Sequence, residues 1–207
     1  MKKYATEQES FWAGDFGAEY IDRNQFTPQL RAGTLNMWVA ILNRMNSRPA
    51  SILELGANIG NNLQALQVLL PEAELAAVEI NPKAAEILRQ WGKAEVYETS
   101  ILTFKPDRHW DLVFTSGVLI HINPEVLNQI YSVFYNASNK YICMAEYYSP
   151  MPEELSYRGH KEKMYRRNFG GEMLQAYTEL SLRGYGFTYC NDPIFLMDDL
   201  TWFLLEK

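Results

Sequence analysis

The stretch SILELGANIGNNLQAL, residues 51–66, sets a carboxylate, Glu54, just ahead of a turn carrying Gly56, Asn58 and Gly60. It starts as a buried strand and ends as a helix, and a turn at that junction lets a ligand approach backbone N–H groups. A dinucleotide fingerprint, G-x-G-x-x-G, would require glycine at positions 56, 58 and 61, but asparagine stands at 58 and 61. Asn58 still tolerates the left-handed backbone that such a turn uses. Charge discriminates further. A pyrophosphate would be repelled by Glu54, whereas a ligand bearing an ammonium or sulfonium would be attracted. Glu79 closes the next apolar run, LAAVEI, at the place where an acid accepts ribose hydroxyls in open α/β sheets. An adenosine with a cationic tail satisfies both acids, and S-adenosylmethionine is such a molecule.

Other residues offer supporting chemistry. His121 follows the run DLVFTS and could act as a general base, since imidazole is partly protonated near neutral pH; the alternative is a residue that orders its loop. Glu146 ends the run YICMAE, and with Tyr147 and Tyr148 it reads as either a substrate-pocket wall or core. Tyr20 and Arg23 share one helix face at i and i+3. Arg23 could pair with a cofactor carboxylate while Trp12 or Phe16 closes over the ligand; otherwise this is an amphipathic helix with a solvated arginine. The segment YRGHKEKMYRRNF, residues 157–169, gathers Arg158, His160, Lys161, Lys163, Arg166 and Arg167. As a helix it would set Lys163 and Arg167 on one face, with Tyr157 and Tyr165 supplying flat surfaces. Arg158, Arg166 and Arg167 are then expected to clamp an anionic acceptor, the alternative being a solvated charged face. No Ser/His/Asp nucleophile system and no Cys/His metal spacing is visible.

These residues need elements to position them. The first fifty residues read as helices, with Thr27-Pro28 as a helix start. From Ser51 strands alternate with helices: SILEL, LAAVEI, AEVYE, DLVFTS and YICMAEY, with Asn81-Pro82 and Asn123-Pro124 opening helices. Continuous apolar runs are expected of parallel strands covered on both faces. A helix is expected over Phe169–Leu182, followed by two strands, GFTYCND and LTWFLLEK, joined by a short loop. The expected fold is a doubly wound, mostly parallel seven-stranded α/β sheet with N-terminal helices and a C-terminal antiparallel hairpin. One domain spans 1–207: a helical lid over 1–48, and a core over 49–207 with a basic insertion near 150–170.

Composition narrows the class. The chain of 207 residues has a formal net charge of −6, which disfavours non-specific nucleic-acid binding. Cys143 and Cys190 read as reduced thiols rather than a disulfide or metal site. Lys2 and Lys3 precede YATEQESFW, which provides no apolar leader segment, and no run reaches membrane-spanning length. A cytoplasmic protein without membrane or nucleic-acid partners is expected.

ELGANIG resembles the first motif, E/D-x-G-x-G-x-G, of class I S-adenosylmethionine-dependent methyltransferases, with Asn58 replacing the middle glycine. AAVEINP resembles their acidic second motif, YETSI their adenine-binding loop, and DLVFTSGVLIHI their fourth motif. More narrowly, FWAGDFGAEYIDRN, YRGHKEKMYRRNFGGEML and DDLTWFLLEK resemble the pseudaminic acid biosynthesis-associated methylases. The resemblance implies that Glu54 lies near the cofactor's amino group and that backbone at Gly56 and Asn58 lines its tail. Glu79 would take the ribose hydroxyls, Ile80 would pack on adenine, and Ser100 and Ile101 would flank the adenine edge. Many relatives carry aspartate where Ser100 stands, so base recognition would lean on backbone. Thr115 and Gly117 would offer carbonyls to the ammonium. The implied reaction is methyl transfer to an oxygen or nitrogen of a small polar acceptor, an anionic nonulosonic-type sugar or its nucleotide-activated form. An amine or peptide acceptor, or a non-catalytic cofactor-binding accessory protein, is the alternative.

Overall fold

The computed structural model describes residues 4–23 and 25–207; the side chains of His160, Lys161 and Glu162, and the whole of Lys2 and Lys3, lie outside the described set. The chain opens with α1 (Glu7–Ala13), α2 (Asp15–Arg23) and α3 (Pro28–Leu42). Two of these helices have side-chain caps. Thr6 and Glu9 form a reciprocal capping box, and Thr27 accepts from the Leu30 N–H ahead of Pro28.

Alternation follows: β1 (Ser51–Leu55), α4 (Asn61–Leu69), β2 (Glu74–Glu79), α5 (Pro82–Trp91), β3 (Glu95–Glu98) and β4 (Trp110–Ser116). Short 3-10 turns at Leu119–His121 and Pro124–Val126 lead into α6 (Leu127–Ala137) and β5 (Ser138–Glu146). The remainder is β6 (Glu153–Tyr157), β7 (His160–Arg166), α7 (Phe169–Ala176), β8 (Ser181–Phe187) and β9 (Thr201–Glu206).

Seven strands form one sheet in the order β3-β2-β1-β4-β5-β9-β8, with β1 to β5 parallel and β9 antiparallel to both its neighbours. This is the doubly wound sheet with an antiparallel terminal hairpin expected from the sequence. Alternate side chains bury opposite faces. Leu53, Leu55, Val113 and Met144 pack with Ile130, Phe134 and Met173 of α6 and α7, while Ile52, Leu112, Phe114 and Cys143 pack with Trp38, Ile41, Leu63 and Leu66 of α3 and α4. Both layers leave water, which is why the strands read as unbroken apolar runs rather than alternating ones. Strand order reverses between β1 and β4, and the crevice beyond their carboxyl ends is where open sheets of this kind bind ligands. Among the described residues, no helix is long and apolar enough to cross a membrane.

Two expected helical stretches come out differently. The helix from Phe169 stops at Ala176, and residues 181–187 form β8 instead. The reason is packing against β9: a Cβ at Gly186 would sit 2.4 Å from the Trp202 ring, so glycine lets the two strands approach. The loop between these strands, 188–200, is also longer than expected. The basic segment is a β-hairpin, β6–β7, not a helix. Tyr157 pairs with His160 across a two-residue turn in which Arg158 (φ 49°) and Gly159 (φ 86°) both have positive φ, as a type I′ turn requires. Lys163 and Arg167 therefore do not share a helix face.

Candidate active site

The turn after β1 holds three left-handed residues, Gly56 (φ 78°), Asn58 (φ 48°) and Gly60 (φ 81°). The Gly56 and Ala57 N–H groups donate to the Val78 carbonyl at 2.8 and 3.1 Å, which pins the turn to β2. A Cβ at Gly56 would lie 2.7 Å from the Val118 side chain, so this position is closed to larger residues by space as well as by φ. The Glu79 carboxylate completes the fastening: Oε2 accepts from Asn58 N–H at 2.6 Å and Oε1 from Asn81 N–H at 2.7 Å. Burial raises its pKa, and the backbone hydrogen bonds oppose that rise.

Glu54 is buried at the end of β1. Its Oε1 accepts from the Asn62 amide at 2.9 Å, and the Asn62 carbonyl accepts from the Trp38 indole N–H at 3.0 Å. Oε2 is buried with no hydrogen-bond partner among the described residues. Burial holds the carboxyl well above the usual carboxylate range. An isolated buried carboxylate is costly unless a cation or donor joins it, so this oxygen suits a ligand ammonium, directly or through water.

These groups open on a cavity of about 280 Å³ at the switch point of the sheet. Of the residues expected at a site, Trp12, Tyr20, Glu54, Gly56, Asn58, Glu79, Ile80, Ser100, Ile101, Gly117, His121 and Tyr157 line it. A Cβ at Gly117 would meet nothing within 4 Å, so the wall is open there. The Asn81 amide donates to the Trp12 carbonyl at 3.0 Å and the Gly14 carbonyl at 3.3 Å, which ties the α1–α2 junction over the cavity.

Phe16 and seven other expected residues do not line the cavity. Arg23 lies 3.5 Å from the Glu19 carboxylate and over the Phe16 ring, so its charge is already engaged on its own helix. The Thr115 hydroxyl donates to the Leu55 carbonyl at 2.9 Å and stitches β4 to β1. Tyr148 is bridged to Arg167 and faces Phe203. Arg167 pairs with Glu172 at 2.8 Å, and Glu172 also accepts from Tyr131. Arg158 and Arg166 lie over the rings of Tyr157 and Tyr147, at 5.8 and 5.7 Å. Glu146 is a cap rather than a pocket wall. Its two oxygens accept from Val118, Leu119 and Ile120 N–H groups at 3.1, 3.1 and 3.3 Å, satisfying the start of the 3-10 turn that carries His121.

Burial pushes the Glu146 carboxyl up to about 7 from an ordinary 4.5, against the pull of those three N–H groups. Between those values the folded chain holds a proton that the unfolded chain has released, so this group's contribution to stability falls as pH rises through that window. Glu146→Gln, with no proton to release there, is expected to show a shallower decline. Thermal unfolding followed from acid to neutral pH in both proteins checks it; parallel slopes would contradict the assignment.

His121 sits at the heart of the cavity. Its Nδ1 lies 2.6 Å from the Lys163 carbonyl of β7, and since a carbonyl only accepts, Nδ1 carries the proton. Burial depresses its pKa to about 4, so the ring is neutral near pH 7 and Nε2 keeps a free lone pair. The ring is framed by Trp12 and Tyr157, each with its centroid 4.7 Å away. Sequence reasoning did not reach several participants: Asn62, Asn81, the Lys163 carbonyl, Met164, Met197 and Asp198. Only Asn81, followed by proline, carried a local signal; the others join the cavity through long-range packing.

No family model and no curated protein matches this chain. Solved structures do. Magnesium protoporphyrin IX methyltransferase (ChlM) from Synechocystis PCC 6803 with bound SAM is 14% identical, with 100% of each chain covered and a TM-score of 0.68. The 1,6-didemethyltoxoflavin-N1-methyltransferase of Burkholderia thailandensis, bound to its acceptor and S-adenosylhomocysteine, is 16% identical over 100% of this chain and 92% of that one, with a TM-score of 0.70. The plantazolicin methyltransferase BpumL with SAH is 15% identical over 97% of this chain and 93% of that one, with a TM-score of 0.66. The chain has the class I S-adenosylmethionine-dependent methyltransferase fold.

Proposed function

We propose that this chain transfers a methyl group from S-adenosylmethionine to a nitrogen or oxygen atom of a small molecule. The observation that carries the reading is one cavity walled by the glycine turn, a buried Glu54 with an unsatisfied oxygen, Glu79 and a neutral His121. Glu54 would hold the ligand's ammonium, backbone at Gly56, Asn58 and Gly117 its tail, Glu79 its ribose hydroxyls, and Ile80, Ser100 and Ile101 its adenine. The bound cofactor supplies an electrophilic methyl on sulfonium. The protein's part is then to align the acceptor, exclude water with Trp12, Tyr20 and Tyr157, and receive a proton at His121 Nε2 where the nucleophile must lose one. The similar structures act, by their names, on a porphyrin, a toxoflavin precursor and plantazolicin, so the fold alone names no acceptor. An anionic nonulosonic-type sugar has its support in the resemblance and the basic segment. No lysine or arginine lines the cavity among the described residues, and the acceptor proposed here carries no anionic requirement.

Calorimetry of the purified chain tests the reading: S-adenosylhomocysteine is expected to bind and NAD to give no heat. Binding of NAD with no response to S-adenosylhomocysteine would overturn it. A linked proton gives a second check. Glu54 is held protonated well above the carboxylate range in the free protein, and a bound ammonium favours its ionised form. The complex then holds fewer protons than the free chain, so affinity is expected to rise with pH until Glu54 is ionised in both states. Titrations in buffers of different ionisation enthalpy should show proton release that disappears in Glu54→Gln.

A further inference from the structure

We infer that the acceptor is a flat, uncharged nitrogen aromatic, an arylamine or nitrogen heterocycle, and that it is methylated on nitrogen. The inference rests on the methyltransferase reading above and concerns the acceptor end of the same cavity. That end is walled by rings. Trp12, His121 and Tyr157 form a cluster of tilted rings, His121 4.7 Å from each of the others and those two 6.4 Å apart, and Tyr20 meets Trp12 edge-on at 5.2 Å. The thioethers of Met164 and Met197 complete the wall. Rings and thioethers favour an aromatic body over a polyhydroxylated one.

Charge selects within flat molecules. The carboxylates lining the cavity are Glu9, Glu54, Glu79 and Asp198, and no lysine or arginine joins them among the described residues. Glu9 is engaged by the Thr6 N–H at 2.7 Å, and burial raises the pKa of Asp198. Arg158 and Arg166 lie over the rings of Tyr157 and Tyr147. With Glu54 and Glu79 given to the cofactor and Glu9 to Thr6, an anionic acceptor would meet Asp198 with no lysine or arginine lining the cavity among the described residues.

The transfer itself points to nitrogen. The nitrogen lone pair forms the new N–C bond, the S–C bond breaks with its electron pair left on sulfur, and the positive charge passes from sulfur to nitrogen. Aromatic faces and acids around the acceptor stabilise that charge as it arrives. If the nitrogen bears hydrogen, a proton then leaves to His121 Nε2, which has no hydrogen-bond partner among the described residues. An imidazole held near pKa 4 cannot strip an aliphatic ammonium, and a phenol would have to become an anion among carboxylates. An aromatic nitrogen, already neutral at pH 7, meets neither obstacle.

The test uses the full chain saturated with S-adenosylhomocysteine and titrated with three probes: an aminoquinoline, a naphthoate and N-acetylneuraminic acid. The aminoquinoline is expected to bind at least about tenfold more tightly than either acid, the scale of one well-formed aromatic contact. Tyr157→Leu should weaken it by about tenfold while leaving S-adenosylhomocysteine affinity within about twofold. Asp198→Lys should shift preference toward the naphthoate. With S-adenosylmethionine, mass spectrometry should place one methyl on the aminoquinoline nitrogen. Equal or tighter binding of either acid by the wild-type chain, with S-adenosylhomocysteine bound, overturns this inference alone. Failure to bind S-adenosylhomocysteine overturns the methyltransferase reading and this inference with it.

Discussion

Replacing Glu79 with alanine is expected to weaken S-adenosylhomocysteine binding by about a hundredfold or more and to lower the thermal midpoint. The carboxylate accepts from two backbone N–H groups, on Asn58 at 2.6 Å and Asn81 at 2.7 Å. Hydrogen bonds to a charged group contribute about 1.5–3 kcal/mol each, so the turn after β1 and the start of α5 lose a shared anchor before any ribose contact is counted. Both N–H groups are then left in a largely buried site, which adds the penalty of unsatisfied donors. Glu79→Gln separates the two roles. Its carbonyl can still accept one N–H, but its NH2 faces the other, so stability should fall less than in the alanine variant while affinity still drops. Calorimetry and thermal unfolding on the same samples check this; unchanged affinity in Glu79→Ala would remove Glu79 from the site.

That anchor illustrates what the sequence could and could not disclose. Glu54 and Glu79 were legible because each ends an apolar run next to a turn signal, and strand ends at a switch point converge whatever the rest of the chain does. Glu146 looks the same in sequence, an acid ending an apolar strand. Its role differs only because the 118–120 backbone folds back onto it, a contact that nothing local encodes. The β6–β7 hairpin was hidden for another reason. Its turn uses Arg158 at a positive φ where Asn or Asp would be the usual signal, and charged residues mask the alternation of KEKMYR. Taken as a helix, the segment became an arginine clamp; as a hairpin, it delivers Met164 and the Lys163 carbonyl to the cavity and turns its arginines to Tyr147, Tyr157 and Glu172. The aromatic frame around His121 draws on α1, the 3-10 turn after β4 and the end of β6, so it exists only after tertiary packing.

His121→Asn is expected to lower the maximal rate by about 10²–10⁴-fold, the range for a positioned acid–base group, with S-adenosylhomocysteine affinity changed by less than about threefold. The hydrogen bond from Nδ1 to the Lys163 carbonyl fixes both the tautomer and the ring plane, so Nε2 is the atom presented to the cavity. Its weak basicity does not disqualify it. An aromatic amine nitrogen that has just gained a methyl is far more acidic than its parent and than an aliphatic ammonium, so a base with a pKa near 4 can receive the proton as the new bond forms. The pH dependence follows from the same value: the neutral ring is the active form, so its contribution is flat near neutrality and is lost as pH falls through about 4. A purely loop-ordering histidine would behave otherwise. Its loss would slacken the contact between β7 and the turn after β4, lowering the thermal midpoint and raising the acceptor's KM while the rate at saturating acceptor recovered. The split between kcat and KM therefore separates the two roles, and a variant that keeps its full rate at saturation would make His121 a strut between the hairpin and the sheet.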